Sequence, residues 1–392
     1  MKFLIAGAGI GGLTAALCLD QAGHEVQIFE QSMQFSEIGA GLQVGANALR
    51  VLQHLGLRSA VEAVSVAPQR AEFREHRSGE LLYSLQWGED YSARYGAPYL
   101  HVLRSDLHEI LAQELMLRQP GGCKLNACVS SYTDNEQNVT LHTSDGESFT
   151  GDCLIGADGI KSTIKTQLVG AANATFTGNV AWRGVVPASR LPDDFMAKVA
   201  TNFIGPRKHM VIYYLRDQQL VNFVGVVENN KWRDESWSTV ASWHELKSDF
   251  GGWHPTVQAV IDAVDKDQCF RWALHQHAPH SSWSGKRVAL LGDAAHAMLP
   301  FMASGAAMAI EDARILQRSF DQTKSVREAL QVYQANRIPR TAKVQRMSAH
   351  AGKLYHIQSP MLLKLAFSGI SLMSKSRDAF LAEYDANTVP LI

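Results

Sequence analysis

The sequence predicts an α/β protein: a parallel-sheet scaffold, an antiparallel β-sheet inserted into it, and a run of C-terminal helices. Three observations carry that prediction. A glycine-rich turn, Gly7-Ala8-Gly9-Ile10-Gly11-Gly12, sits between a short apolar run and a helical pattern. From about residue 175 the pattern changes to successive β-strands with polar turns between them. After Ala306 it is helical throughout.

Taken in order, Phe3 to Ala6 reads as the first strand, Leu13 to Gln21 as a helix stopped by Gly23, and Val26 to Phe29 as the second strand. Residues 45–57 read as a helix closed by Gly56, and Asp106 as the cap of a helix ending before Pro120-Gly121-Gly122. Two β runs follow, Lys124 to Tyr132 and Asn138 to Thr143, with Asp145-Gly146 as a turn. Cys153 to Gly156 is continuously apolar, as a strand buried on both faces must be. Val180 to Val186, Val199 to Ile204, His209 to Leu215 and Leu220 to Val227 make the inserted sheet, and Arg287 to Leu291 returns to a buried strand. The resulting division is 1–174 for the scaffold, with segments near 70–100 on the substrate side, then 175–275 for the inserted sheet. Residues 276–320 return to the scaffold and 321–392 form the helical end.

With 37 basic and 38 acidic residues the charges nearly cancel, and no Lys/Arg cluster marks a nucleic-acid groove. The five cysteines are odd in number and contain no C-x-x-C, so they read as small buried hydrophobes in a reducing compartment. Met361 to Met373 is too short and too interrupted to span a bilayer, and Met1-Lys2 runs straight into a strand rather than a signal peptide. A soluble cytoplasmic protein without nucleic-acid or membrane partners is expected; a homodimer stays open.

In the first motif Gly7 permits the tight turn, Gly9 lets backbone approach a pyrophosphate, and Gly12 lets helix and strand pack closely. Glu30 ends the second strand, where a carboxylate can accept both ribose hydroxyls. Such a Rossmann-like unit points to a bound dinucleotide, and the acid favours FAD or NAD over NADP. Gly156-Ala157-Asp158-Gly159-Ile160-Lys161-Ser162 and Gly292-Asp293-Ala294-Ala295-His296 each follow a buried strand, the latter leading to Ala303-Ser304-Gly305-Ala306-Ala307. A small-residue stretch opening a helix suits an electron-rich group at its N-terminus.

Together these motifs resemble the single-component FAD-dependent aromatic hydroxylases with the p-hydroxybenzoate hydroxylase fold. The resemblance includes Arg104-Ser105-Asp106-Leu107 and Arg337-Ile338-Pro339-Arg340-Thr341-Ala342. Ile38-Gly39-Ala40-Gly41-Leu42-Gln43, Tyr95-Gly96 and Trp182-Arg183-Gly184 are similar to the salicylate hydroxylase, 3-hydroxybenzoate 6-hydroxylase and 6-hydroxynicotinate 3-monooxygenase group. The resemblance implies a Rossmann-like FAD-binding domain, an inserted substrate domain, and cofactor contacts from Gly7, Gly9, Gly12, Glu30, Gln43, Arg104, Val129, Asp158, Asp293, Gly305, Ala306 and Ala307. Glu30 would hold the adenosine ribose, Val129 the adenine, Arg104 and Asp158 the diphosphate region, and Asp293 the ribityl chain. It also implies NADH or NADPH as a transient co-substrate, since no second G-x-G-x-x-G is present, and O2 activation as a C4a-hydroperoxyflavin. Ala46 and Ser304 depart from the group's usual Pro and Gln.

Hydroxylation of a phenol, hydroxybenzoate or hydroxypyridine wants the ring as phenolate, hence a base. His209 and Tyr213 share one face of a strand, roughly 13 Å apart at ~3.3 Å per residue, and so flank a pocket rather than forming a dyad. From the residues alone His209 reads as a sheet-edge or solvated histidine; the resemblance makes it the candidate base and Tyr213 the orienting group. His296 reads as structural, His275, His277 and His280 as a solvated face rather than a metal site, and Trp232, Trp237, Trp243 and Trp253 as packing or lid residues. Two further readings are a tailoring or quinone-pathway hydroxylase with a larger apolar pocket, and a non-catalytic binding protein on the same fold.

Overall fold

The computed structural model describes residues 1–35, 40–170, 174–229 and 241–392, with backbone alone at 268 and 370–378. Ile38, Gly39, Trp232 and Trp237 lie outside the described residues. The scaffold is a wholly parallel five-stranded sheet in the order Val288–Leu290, Cys153–Gly156, Lys2–Ala6, Glu25–Phe29, Cys123–Lys124. Its central strands are buried on both faces, which is why they read as unbroken apolar runs. Three strands distant in sequence therefore end side by side, each followed by a glycine motif. Backbone bonds lock the turns together: Gly7 N donates to Phe29 O and Ala157 N to Ala6 O at 2.8 Å, and Leu291 N to Gly156 O at 2.9 Å.

The expected run Lys124 to Tyr132 is corrected. Cys123–Lys124 closes the parallel sheet, while Val129–Asp134 opens a separate three-stranded sheet with Val139–Thr143 and Ser148–Gly151. Asn126, with a left-handed φ of 53°, makes the break. Asp106 is no cap either. It sits inside the first turn of the helix Arg104–Arg118, and its carboxylate accepts from Nε and Nη2 of Arg216 at 2.9 and 2.6 Å. The helix Ala46–His54 does end at Gly56, whose φ is +83°.

The inserted sheet has seven strands, ordered Phe270–Gln276, Thr175–Pro187, Leu220–Glu228, Lys208–Leu215, Ala200–Gly205, Arg70–Glu75, Leu81–Gln86. It is not purely antiparallel as expected: Arg70–Glu75 pairs parallel with Ala200–Gly205, because it arrives from the first part of the chain. Strand alternation then divides the sheet's faces. Met210, Ile212 and Tyr214 point into a core with Trp182, Phe223 and Phe250. His209, Val211 and Tyr213 point the other way, into a cavity. Gly184 keeps that packing possible, since a Cβ there would come within 2.6 Å of the Phe223 ring.

Three helices finish the chain, Gly305–Gln322, Val326–Tyr355 and Pro360–Ala382. The first lies tight on Ile10–Gln21: a Cβ at Gly11 would stand 2.7 Å from Leu291 Cδ2 and 3.2 Å from Ala309 Cβ. No described helix is long and apolar enough to cross a membrane. All five cysteines are free, but only Cys18, Cys153 and Cys269 are buried; Cys123 is half-buried and Cys128 exposed, which corrects the uniform expectation.

Candidate active site

At the carboxyl ends of the parallel strands, backbone does the work. Gly7 has φ +98°, and a Cβ there would strike Ala157 O at 2.5 Å. A Cβ on Gly12 would stand 2.1 Å from Gly7 O. Gly9 is different: a Cβ there would meet nothing within 4 Å. Two glycines are thus required by the turn itself, and the third leaves open space above the helix N-terminus, where unpaired N–H groups favour an anion. Glu30 ends the strand beside this turn, its carboxylate accepting from Ala8 N at 2.8 Å and Ser32 N at 2.9 Å. The backbone of 126–127 closes on the same spot, through Asn126 N to Ser32 O and Ala127 N to Glu30 O, and leads into Val129. Asp158 accepts from Ser162 Oγ, Thr163 N and Ile164 N, so its carboxylate caps the helix Thr163–Val169 while its neighbours Ala157 and Gly159 line the open space.

From Gly9 a cavity of about 690 Å³ runs to the inserted sheet. Gln43, Arg104, Asp293, Gly305, Ala306 and Ala307 line its scaffold side, and His209 and Tyr213 its sheet side. Gly7, Gly12, Glu30, Val129 and Asp158 are not among the residues that line it. The sheet wall is largely apolar, with Phe73, Leu85, Val211 and Val224, and Phe301 and Tyr355 extend it from the helical side. Into it project Arg183, Asn202, His209 and Tyr213. His209 is buried (4% exposed), so it is neither solvated nor at an edge; its strand is fourth of seven. Burial, and then the neighbouring His356, push it well below the usual imidazole range. Tyr213 packs on the His101 ring at 4.3 Å between centroids, and burial raises its phenol.

Behind Gly292-Asp293 stands a buried ion network. His296 Nε2 is 2.6 Å from Asp312 Oδ2, which also accepts from Gly292 N at 3.0 Å. Asp312 Oδ1 accepts from Arg337 Nε at 2.6 Å, and Arg337 and Arg340 both bind Glu311. Burial alone would raise the Asp312 carboxyl; His296 and Arg337 outweigh it and bring it down to about 2. His296 is therefore structural, as expected. The network clamps the third glycine turn to the helices Gly305–Gln322 and Val326–Tyr355.

Several features escaped sequence reasoning. Gly41 N donates to Asn222 Oδ1 at 2.8 Å, and Tyr99 Oη to Gln43 Oε1 at 2.8 Å while its ring stacks on Trp87 at 3.9 Å. Arg183 brings a cation to the cavity, and its guanidinium also lies 4.7 Å from the Trp272 ring centroid. His277 is buried, not solvated, with Nε2 3.3 Å from Ile160 O. Among the described residues no group of three or more His, Cys, Asp or Glu could hold a metal. Trp253 is buried in the core of the inserted sheet and Trp243 packs beside it.

A dinucleotide cradle that opens into an apolar, sheet-walled cavity fits a flavin-dependent monooxygenase. The chain belongs to the FAD binding domain family, whose model matches residues 1–348. It is 35% identical over 357 residues to a 3-amino-4-hydroxybenzoate 2-monooxygenase of Streptomyces platensis, covering 91% of this chain and 89% of that protein. It is also 35% identical over 356 residues to a 6-hydroxynicotinate 3-monooxygenase of Bordetella bronchiseptica, covering 88% and 90%. Among solved structures, Klebsiella pneumoniae HpxO complexed with FAD and uric acid superposes with a TM-score of 0.86 at 28% identity, covering 97% of each chain.

Proposed function

We propose that this protein is a cytoplasmic enzyme that hydroxylates a small aromatic ring bearing an ionisable hydroxyl: a phenol, hydroxybenzoate or hydroxypyridine. NADH or NADPH supplies two electrons, one atom of O2 replaces a ring hydrogen by hydroxyl, and the other leaves as water. Bound FAD supplies the electron transfer and oxygen activation. The chain's own residues bind it, keep water out and prepare the ring.

The observation that carries this reading is one continuous cavity with a glycine cradle at one end and the buried His209 in a largely apolar wall at the other. Glu30 is suited to the adenosine ribose, Val129 to the adenine edge, and Gly7, Gly9 and Gly12 to the diphosphate turn. Arg104 and Asp293 serve the diphosphate and ribityl stretch, Gln43 flanks the ring system, and Gly305, Ala306 and Ala307 offer N–H groups at a helix N-terminus. Asp158 acts by holding the Gly159 turn. His209 is the base for the substrate hydroxyl and Tyr213 orients it, while Arg183 favours a substrate with an anionic group. At about 690 Å³ the cavity must take both the flavin ring and the substrate, which favours a small ring over a prenylated one.

The test is NADH and NADPH oxidation against a panel of hydroxybenzoates and hydroxypyridines, with product quantified because uncoupled effectors also consume reductant. His209→Gln is expected to retain FAD and slow hydroxylation by roughly 10²–10⁴-fold. An unchanged rate rejects His209 as base.

A further inference from the structure

His209 does not stand alone. Its Nδ1 lies 2.9 Å from Nε2 of His356, the residue that ends the helix Val326–Tyr355. His356 Nδ1 in turn lies 3.0 Å from Oε1 of Glu228, at the end of the strand Leu220–Glu228. The chain begins at a ring lining the cavity and ends at a carboxylate whose side chain is 39% exposed. We propose that His209, His356 and Glu228 form a proton relay that carries the substrate's hydroxyl proton from the cavity to the protein surface. The proposal rests on His209 as the base and adds His356 and Glu228, neither of which touches the substrate.

The donor and acceptor pattern fixes the direction. An ionised carboxylate only accepts, so His356 Nδ1 carries the hydrogen in its bond to Glu228. A neutral His356 then has a bare Nε2, which accepts from His209 Nδ1–H. A neutral His209 is left with a bare Nε2, the one ring nitrogen its partner does not occupy. Burial lowers both imidazoles, against the opposing pull of Glu228 on His356, so both rings are neutral when the chain is set. A base that resists holding a charge passes a proton on. The phenol O–H breaks as His209 Nε2–H forms; His209 Nδ1–H passes to His356 Nε2, and His356 Nδ1–H to Glu228. The ring keeps the electron pair as phenolate, and the proton resides on a carboxyl open to water. Among the described residues, Tyr355, whose ring centroid is 5.2 Å from that of His209, and Arg207, with Nε 3.6 Å from Glu228 Oε2, also face this path.

Glu228→Gln is the sharpest probe. Its amide can donate to His356 Nδ1, which reverses both tautomers and presents His209 Nε2–H, a donor, to the substrate. The readout free of turnover is the ultraviolet difference spectrum of a hydroxybenzoate titrated into oxidised, FAD-loaded enzyme across pH, which reports ionisation of the bound hydroxyl. The relay predicts that Glu228→Gln and His356→Gln keep flavin yet raise the pH at which the bound hydroxyl ionises by a unit or more, a roughly tenfold or greater shift. Hydroxylation falls in parallel. If both variants ionise the substrate as wild type does while His209→Gln does not, the relay is overturned and the base stands. If His209→Gln is silent as well, the base assignment fails and takes the relay with it. Glu228 is partly exposed, so its variant keeps the test valid even where His356→Gln fails to fold.

Discussion

The two ends of the cavity are made of different material. At the scaffold end the shape comes from backbone: glycines at 7, 9 and 12, helix N-termini, and strand ends aligned by a parallel sheet. At the sheet end it comes from side chains, His209, Tyr213, Asn202 and Arg183, which alternation on three strands of the one sheet turns to one face. A backbone-made site is written locally, because a glycine whose Cβ would strike a carbonyl admits no substitute. A side-chain-made site is written in strand pairing, where His209 stands opposite Val226 and Tyr213 opposite Asn222; their even spacing shows that the two share a face but not what that face lies against.

The largest expected effect tests the first half of that contrast. Gly12→Val places its side chain against Gly7 O, a backbone atom already 2.1 Å from the Cβ position. The purified variant should show no visible flavin absorbance and take up no added FAD, whereas His209→Gln should remain yellow. A yellow Gly12→Val protein would break the comparison, since the turn would then tolerate what its geometry forbids.

Next comes the clamp behind the third turn. Arg337 is fully buried between Glu311 and Asp312. Arg337→Met removes one partner and leaves two buried carboxylates short of charge, which should cost about 3–5 kcal/mol in urea unfolding. The same network sets an acid limit. Asp312 is held at about 2, below its ordinary value, so its contribution is present above the unfolded carboxyl range and is lost as pH falls toward 2. Acid unfolding should therefore begin at higher pH in Arg337→Met than in wild type.

These contrasts explain what the sequence made legible. The three glycine motifs, the buried strands at 3–6 and 153–156 and the β pattern beyond 175 each carry a local signature, and their elements are present. The sheet's two strands at 70–86, the parallel pairing with Ala200–Gly205 and the burial of His277 carry none, because each depends on what the fold later lays against them. Glu228 and His356 are separated by 128 residues and meet only where a helix end crosses a strand end. The Asn126 break that divides 124–132 between two sheets hides in a run that otherwise alternates like one strand.

A smaller effect separates paired from unpaired buried charge at the scaffold end. Lys165 Nζ is buried without a hydrogen-bond partner, and burial lowers the amine to about 8. A lowered base destabilises the fold while protonated, below about 8, and the penalty lifts as pH rises toward the unfolded value of 10.5. Wild-type stability should thus climb between those two pH values. Lys165→Met should flatten the climb and stabilise the protein at neutral pH by roughly 1–2 kcal/mol, after allowance for solvent screening. Destabilisation instead would show that the amine serves a partner that only the loaded protein brings.

The smallest effect concerns Ala46, which stands where the resembling group has proline. It opens the helix Ala46–His54 after Gly45, whose extended ψ of 172° suits a following proline, and the first helical position is where proline costs no intrahelical bond. Preset φ should therefore stabilise Ala46→Pro by about 0.4–1 kcal/mol through the unfolded chain. Ala46 N, however, donates to Tyr91 Oη at 3.2 Å, and losing that long bond should cost about 0.5–1.5 kcal/mol. The two terms nearly cancel, so the denaturation midpoint should barely move. What should move is Tyr91, which lines the cavity and would lose this bond from Ala46 N. Ala46→Pro should therefore alter substrate affinity while leaving stability and flavin content unchanged. A shift in flavin content with substrate affinity intact would place Tyr91 with the backbone-made end of the cavity instead.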